Sequence, residues 1–167
     1  MTRRLSAWLL CALLLALAGC GFALRQPVTF AFSSVYTNVA PTSPLGAELK
    51  RQLAAAGNLD LITDSARVQE AQVVLDVAPE QRIKTVVGLG ATGQVREFQL
   101  RLVLKFRLRT PQGKELIPET ELVQQRALSY DEVFALAKEA EEQLLYRNMQ
   151  SDMVQQILRR LAAVKAL

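Results

Sequence analysis

From Glu97 to Arg109 the chain alternates almost without fault: Phe98, Leu100, Leu102, Leu104, Phe106 and Leu108 interleave with Glu97, Gln99, Arg101, Val103, Lys105, Arg107 and Arg109. Successive side chains of a strand point to opposite faces, so period two over this stretch predicts a long strand with one apolar and one polar face. A slip of one residue in its pairing would turn every leucine to water, and its register is therefore strongly specified. One buried and one polar face is the pattern of an antiparallel sheet that helices cover on one side.

The flanking sequence supplies the rest of such a layer. Thr110-Pro-Gln-Gly113 carries turn chemistry, with Pro111 presetting φ, and Glu115 to Leu128 returns as a less regular strand, giving a hairpin. Upstream, Val28 to Ser33 alternates weakly and reads as a first strand, and Gln72 to Val77 reads as a second, with Val73, Leu75 and Val77 on one face. Between them Asn38 to Pro44 is a loop. Ser43 is placed to cap a helix whose first residue is Pro44, with Leu45, Leu49 and Leu53 as its apolar stripe and Gly57 as its stop.

Downstream, Ser129 and Glu132 form an S-x-x-E capping box before a long final helix. Val133, Ala137, Ala140 and Leu144, then Met149, Met153, Ile157 and Leu161, recur at helical spacing as its core stripe, and the sequence leaves open whether the helix is continuous through Ser151-Asp152. Its acidic residues crowd toward the start, and Arg159, Arg160 and Lys165 toward the end, complementing the macrodipole. The expected fold is α+β: a two-layer sandwich of a roughly four-stranded mixed sheet with two helices packed on one face, in the order β-α-β-β-β-α.

The N-terminus is of a different kind. Thr2-Arg3-Arg4 is a short basic segment, followed by an apolar run from Leu5 to Ala18 broken only by Ser6. That run falls short of the roughly 20 apolar residues of a membrane span and fits the h-region of a signal peptide. Leu17-Ala18-Gly19-Cys20 resembles the lipobox of bacterial lipoproteins, in which the cysteine thiol receives a diacylglyceryl group before cleavage. The competing reading is an ordinary secretory signal with an incidental cysteine. Three segments follow: a cleaved signal peptide at 1–19, a lipidated tether at 20–26 beginning at Cys20, and one domain at 27–167. Gly21, rather than aspartate, follows the cysteine, and by resemblance to lipoprotein sorting rules this favours the outer membrane.

Composition narrows the chemistry. With 50% hydrophobic and 22% charged residues the chain is an ordinary globular protein. Processing would remove Cys11 and consume Cys20, leaving no thiol for a disulfide, and a mature domain of roughly 148 residues buries enough surface to fold without one. Loss of Arg3 and Arg4 lowers the formal charge from +4 to about +2. There is no histidine, so Ser-His-Asp and Cys-His mechanisms and the usual zinc sites are excluded. No pair of carboxylates is set across a recognisable cleft, and neither an enzymatic activity, a cofactor nor a metal is expected. Gly88-Leu-Gly90-Ala-Thr-Gly93 matches G-x-G-x-x-G in letters, but it runs into a strand rather than a helix and reads as a hairpin loop.

The polar face of the long strand carries Arg101, Lys105, Arg107 and Arg109, with Arg82 and Lys84 expected nearby on a neighbouring strand. This is a candidate anion-binding stripe, and a solvated or lumen-facing surface is the alternative. Nucleic acid is disfavoured, because no aromatic stacking platform accompanies the charges and the signal directs the chain out of the cytoplasm.

Cys20-Gly-Phe-Ala-Leu-Arg25, the Glu97-Phe-Gln99 start of the long strand and Ala135-Leu-Ala-Lys-Glu139 resemble the lipopolysaccharide-assembly lipoprotein family LptE, as does the order of elements. The resemblance covers essentially the whole mature chain. It implies a non-enzymatic outer-membrane lipoprotein, anchored through the acylated Cys20, that forms a 1:1 heterodimer with the β-barrel LptD. Such a protein plugs the barrel, supports its assembly and binds lipopolysaccharide on its way to the outer leaflet. The resemblance also implies a lipopolysaccharide contact at Lys138, to which Arg101, Lys105 and Arg107 are joined as candidates; the family's other basic position falls among Gly90 to Gly93, with Arg96 as its substitute. A periplasmic lipid carrier without a barrel partner and a lipoprotein enzyme are the alternatives, separated by whether a barrel co-purifies.

Overall fold

β5 (Val95–Arg109) is the axis of the sheet in a computed structural model that describes residues 29–165 apart from positions 41 and 58. One edge of β5 is shared by two antiparallel strands, β3 (Val73–Val77) beside its end and β4 (Gln81–Leu89) beside its start; β6 (Glu115–Ser129) takes the other edge, also antiparallel. β1 (Ser34–Thr37) pairs parallel with β3 and with β2 (Asp60–Ile62), making a mixed sheet of six strands among the described residues. Two helices, α1 (Pro44–Ala54) and α2 (Ala135–Ala162), pack against each other and the sheet. The α+β sandwich is as expected. The sheet is wider than expected because β2 has only three residues and because β4 mixes basic and apolar side chains.

The period-two pattern of β5 does what it predicts. Leu100, Leu102, Leu104, Phe106 and Leu108 are buried and join one core with Leu45, Leu49 and Leu53 of α1 and with Met149, Met153, Ile157 and Leu161 of α2. Ser43 caps α1, its Oγ accepting from the Gly46 amide at 3.2 Å, and Pro44 opens the helix. The glycine run is the β4–β5 hairpin: the Gly90 amide donates to the Gln94 carbonyl at 2.8 Å, and Gly93 takes φ +85°, which a residue with a Cβ adopts at a cost. Gly113 plays the same part in the β5–β6 turn, at φ +96°.

Three expectations are corrected, and one open question is answered. The first strand is not at Val28–Ser33 but at Ser34–Thr37. Phe30 and Phe32 stack on each other with ring centroids 5.2 Å apart and pack with the core, and the Ser33 carbonyl accepts from the Asp60 amide of β2 at 2.8 Å just before β1 begins. Ser129 and Glu132 do not cap the long helix. Ser129 is the last residue of β6, Asp131 accepts from the Val133 amide at 3.0 Å, and a 3₁₀ turn at Glu132–Phe134 leads into α2. α2 itself runs unbroken through Ser151-Asp152. Finally, Val133, Ala137, Ala140 and Leu144 are not core: all are exposed, because the sheet lies under the other side of the helix start, the side that carries Lys138 and Glu142. The proposed signal peptide, Cys20 and the tether lie outside the described residues.

Candidate functional site

Directly opposed residues of antiparallel strands share a face, so the pairing assigns every charge on the sheet to a side. Arg107 lies opposite Asp76 of β3, and Arg101 lies between Ile83 of β4 and Gln125 of β6, all on the face away from the helices. The Arg107 and Arg109 guanidinium groups both donate to the Asp76 carboxylate through Nε, at 2.8 and 2.9 Å, and Lys105 reaches Glu119 at 3.7 Å. Burial pushes the Asp76 carboxyl up. The hydrogen bonds and charges of Arg109 and Arg107 together outweigh that and hold it below its ordinary value. The stripe is thus real but largely matched by carboxylates. Arg101 is the exception, its Nε buried without an acceptor.

Arg82 and Lys84 are not beside this stripe. They oppose Leu102 and Leu100 and so lie on the helix side, where Arg82 stacks over the Tyr146 ring at 4.9 Å and Lys84 pairs with Glu142 of α2 at 2.6 Å. Arg126, opposite Leu100 on β6, also reaches α2, donating to Asp152 at 2.9 Å. Alternation along Arg82-Ile83-Lys84 gives the relative faces; which of them α2 covers depends on the register against β5.

Lys138, the expected lipopolysaccharide contact, is also on the helix side. Its Nζ donates to Ser129 Oγ at 3.0 Å and to Glu141 at 2.9 Å. It borders a cleft of about 260 Å³ between the first turns of α2 and the far end of the sheet, shared with Lys84, Glu139 and Glu142 and floored by Val95, Phe98, Leu128 and Tyr130. Phe98 and Tyr130 meet edge to face at 5.1 Å, and the Lys84 ammonium sits 4.2 Å above the Phe98 ring. Arg96 is exposed next to Val95, its carbonyl accepting from the Tyr130 amide at 2.8 Å. The sheet therefore stands between Lys138 and the stripe of Arg101, Lys105 and Arg107, and one phosphate cannot engage both. Lys84 is the residue of this region that the sequence reading placed elsewhere.

The second feature is apolar. At the start of α2, Val133 is 83% exposed, Phe134 61%, Leu136 84% and Leu144 49%. On α2 positions 136, 137, 140 and 144 fall on one side, so Leu136, Ala137, Ala140 and Leu144 form a stripe, and Val133 and Phe134 are exposed in the 3₁₀ turn before it. β4 adds exposed Val86, Val87 and Leu89 at the same end of the molecule.

Residues 32–161 match the lipopolysaccharide-assembly family LptE. That span takes in every strand and nearly all of both helices. The chain belongs to this family. LPS-assembly lipoprotein LptE of Pectobacterium atrosepticum is 27% identical over 167 residues, covering 98% of this chain and 88% of that protein. The Yersinia pestis protein of the same name is 28% identical, covering 99% and 79%. Among solved structures, lipoprotein B from Nitrosomonas europaea superposes with a TM-score of 0.72 at 31% identity, covering 86% of this chain and 91% of its own. The rare lipoprotein B from Shewanella oneidensis shares the fold, with a TM-score of 0.66 at 22% identity and coverage of 78% and 94%. As an LptE family lipoprotein the chain takes part in lipopolysaccharide assembly. Among its described residues no helix is long and apolar enough to cross a membrane.

Proposed function

We propose that this LptE family protein is held at the outer membrane by an acylated Cys20 and seats its domain in the lumen of the β-barrel LptD as a non-enzymatic plug that supports barrel assembly. The observation that carries this reading is the uncovered stripe at the start of α2. Large apolar side chains repeating on one helix face in water mark a surface that a partner covers. The remaining exterior suits a polar lumen: the open face of the sheet is lined by ion pairs and glutamines, among them Gln99 donating to Gln125 at 3.4 Å. Lipopolysaccharide phosphates contact the domain at Lys138, with Arg96 of β5 as a further candidate. Arg101, Lys105 and Arg107 form a second, separate basic surface for the barrel wall or the same ligand.

Tagged protein purified from outer membranes should bring down a large β-barrel in equal amount. Absence of a stoichiometric barrel would overturn the plug and favour a free lipid carrier. Mass spectrometry of the mature N-terminus should find an acylated Cys20, and Cys20→Ala should block that processing; an unmodified N-terminus elsewhere contradicts the anchor.

A further inference from the structure

The two lysines of the cleft at the start of α2 are neutralised in an unequal way. Lys84 projects from the sheet and is held by Glu142 of the helix, whereas Lys138 is held within the helix by Glu141, one turn on. Glu142 is mostly covered, its side chain 16% exposed, and lines the same cleft as the two lysines. Below them lie the Phe98 and Tyr130 rings with Val95 and Leu128, an apolar floor next to two cations and the carboxylates of Glu139 and Glu142. Such a lining matches an amphiphile that carries phosphate on its polar part.

We propose that this cleft is a phosphate site in which Lys84 is the second cation beside Lys138, and in which Glu142 and Glu141 occupy the ammonium groups until a phosphate displaces them. The proposal rests on the reading that the domain binds lipopolysaccharide and adds to it the partner cation and the internal competitor. A phosphate monoester carries more than one negative charge and three acceptor oxygens, so it satisfies two ammonium groups together, which neither carboxylate does alone. Both glutamates sit on flexible side chains and turn to water when released. On the open face Arg107 and Arg109 share one carboxylate fixed by strand pairing, which holds their side chains in place.

The experiment measures binding of purified lipopolysaccharide to the detergent-solubilised full chain, with each variant's melting temperature recorded. Lys84→Gln should weaken binding about fivefold at low salt and less at moderate salt, the scale of one partly exposed charged contact. Glu142→Gln should strengthen binding, and its effect should vanish in the Lys84→Gln background, whereas a merely structural Lys84–Glu142 pair would give both single variants the same sign. Dephosphorylated lipopolysaccharide should bind less well, and inorganic phosphate should compete only weakly; full affinity without phosphate, or equal competition by free phosphate, overturns the assignment to a phosphorylated amphiphile. If the wild-type chain binds lipopolysaccharide while folded Lys84→Gln and Glu142→Gln bind like it, the cleft is wrong and the general reading stands. If the wild-type chain does not bind at all, both fall.

Discussion

The two halves of α2 carry the same apolar period and meet opposite fates. From Met149 onward, Met149, Met153, Ile157 and Leu161 have no exposed surface and close the core over β5. Before it, Leu136 is 84% exposed and Leu144 49%, on a helix that continues without a break. The step from Leu144 to Met149 is five residues, a turn of about 140° around a helix of 3.6 residues per turn, so the two stripes lie on different sides of α2 and the later one faces the sheet. Periodicity therefore reports which side of a helix is apolar, not what lies against it. In the later half the cover is the chain's own sheet; in the earlier half, on the account given above, it is another protein.

The comparison breaks most visibly in the core half. Met153→Asp, or Leu104→Asp on the facing strand, buries a carboxylate with no partner, a cost of several kcal/mol that approaches the whole stability of a domain this size. Both variants should fail to fold by circular dichroism, while Arg107→Ala on the open face should fold normally. An intact Leu104→Asp beside an unfolded Arg107→Ala would reverse the assignment of faces.

How much of this was legible beforehand follows from what each signal depends on. β5, its turn to β6 and the Ser43–Pro44 start of α1 were readable because alternation, turn residues and caps are local. β1 and β2 were not, having four and three residues, too few to show a period, and Phe30 and Phe32 drew the reading upstream. Arg82 and Lys84 were assigned to the wrong surface because the face of a residue on β4 depends on its register against β5. The stripe of α2 was read correctly as a stripe and wrongly as core: the five-residue step from Leu144 to Met149 turns it away from the side that meets the sheet. Of the candidate site, Lys138 came from family resemblance, and its neighbour Lys84 needed the tertiary structure.

Smaller effects sharpen the same contrast between regions that are self-sufficient and those that are not. Asp76 belongs to the self-sufficient part: its folded-state pKa is held below the ordinary value, so its contribution to stability is present above the unfolded pKa and lost as pH falls through the folded one. Asp76→Asn should lower stability near neutral pH and flatten the loss seen below about pH 4, measured by urea denaturation across that range. An unchanged pH profile would mean the Arg107 and Arg109 pairs contribute nothing. Smaller again, Ser43→Ala should remove the α1 cap for about 1 kcal/mol, read from the same denaturation curves.

The most direct test pairs stability with partner capture in one variant of the uncovered half, Val133→Ser with Leu136→Ser. Both residues are more than four-fifths exposed, so the unfolding midpoint of the full chain should stay within about 0.5 kcal/mol of wild type. Recovery of the β-barrel with the tagged protein from outer membranes should fall well below equal amounts. Destabilisation on the scale of a core substitution, or a barrel recovered in equal amount with the folded variant, would contradict the account.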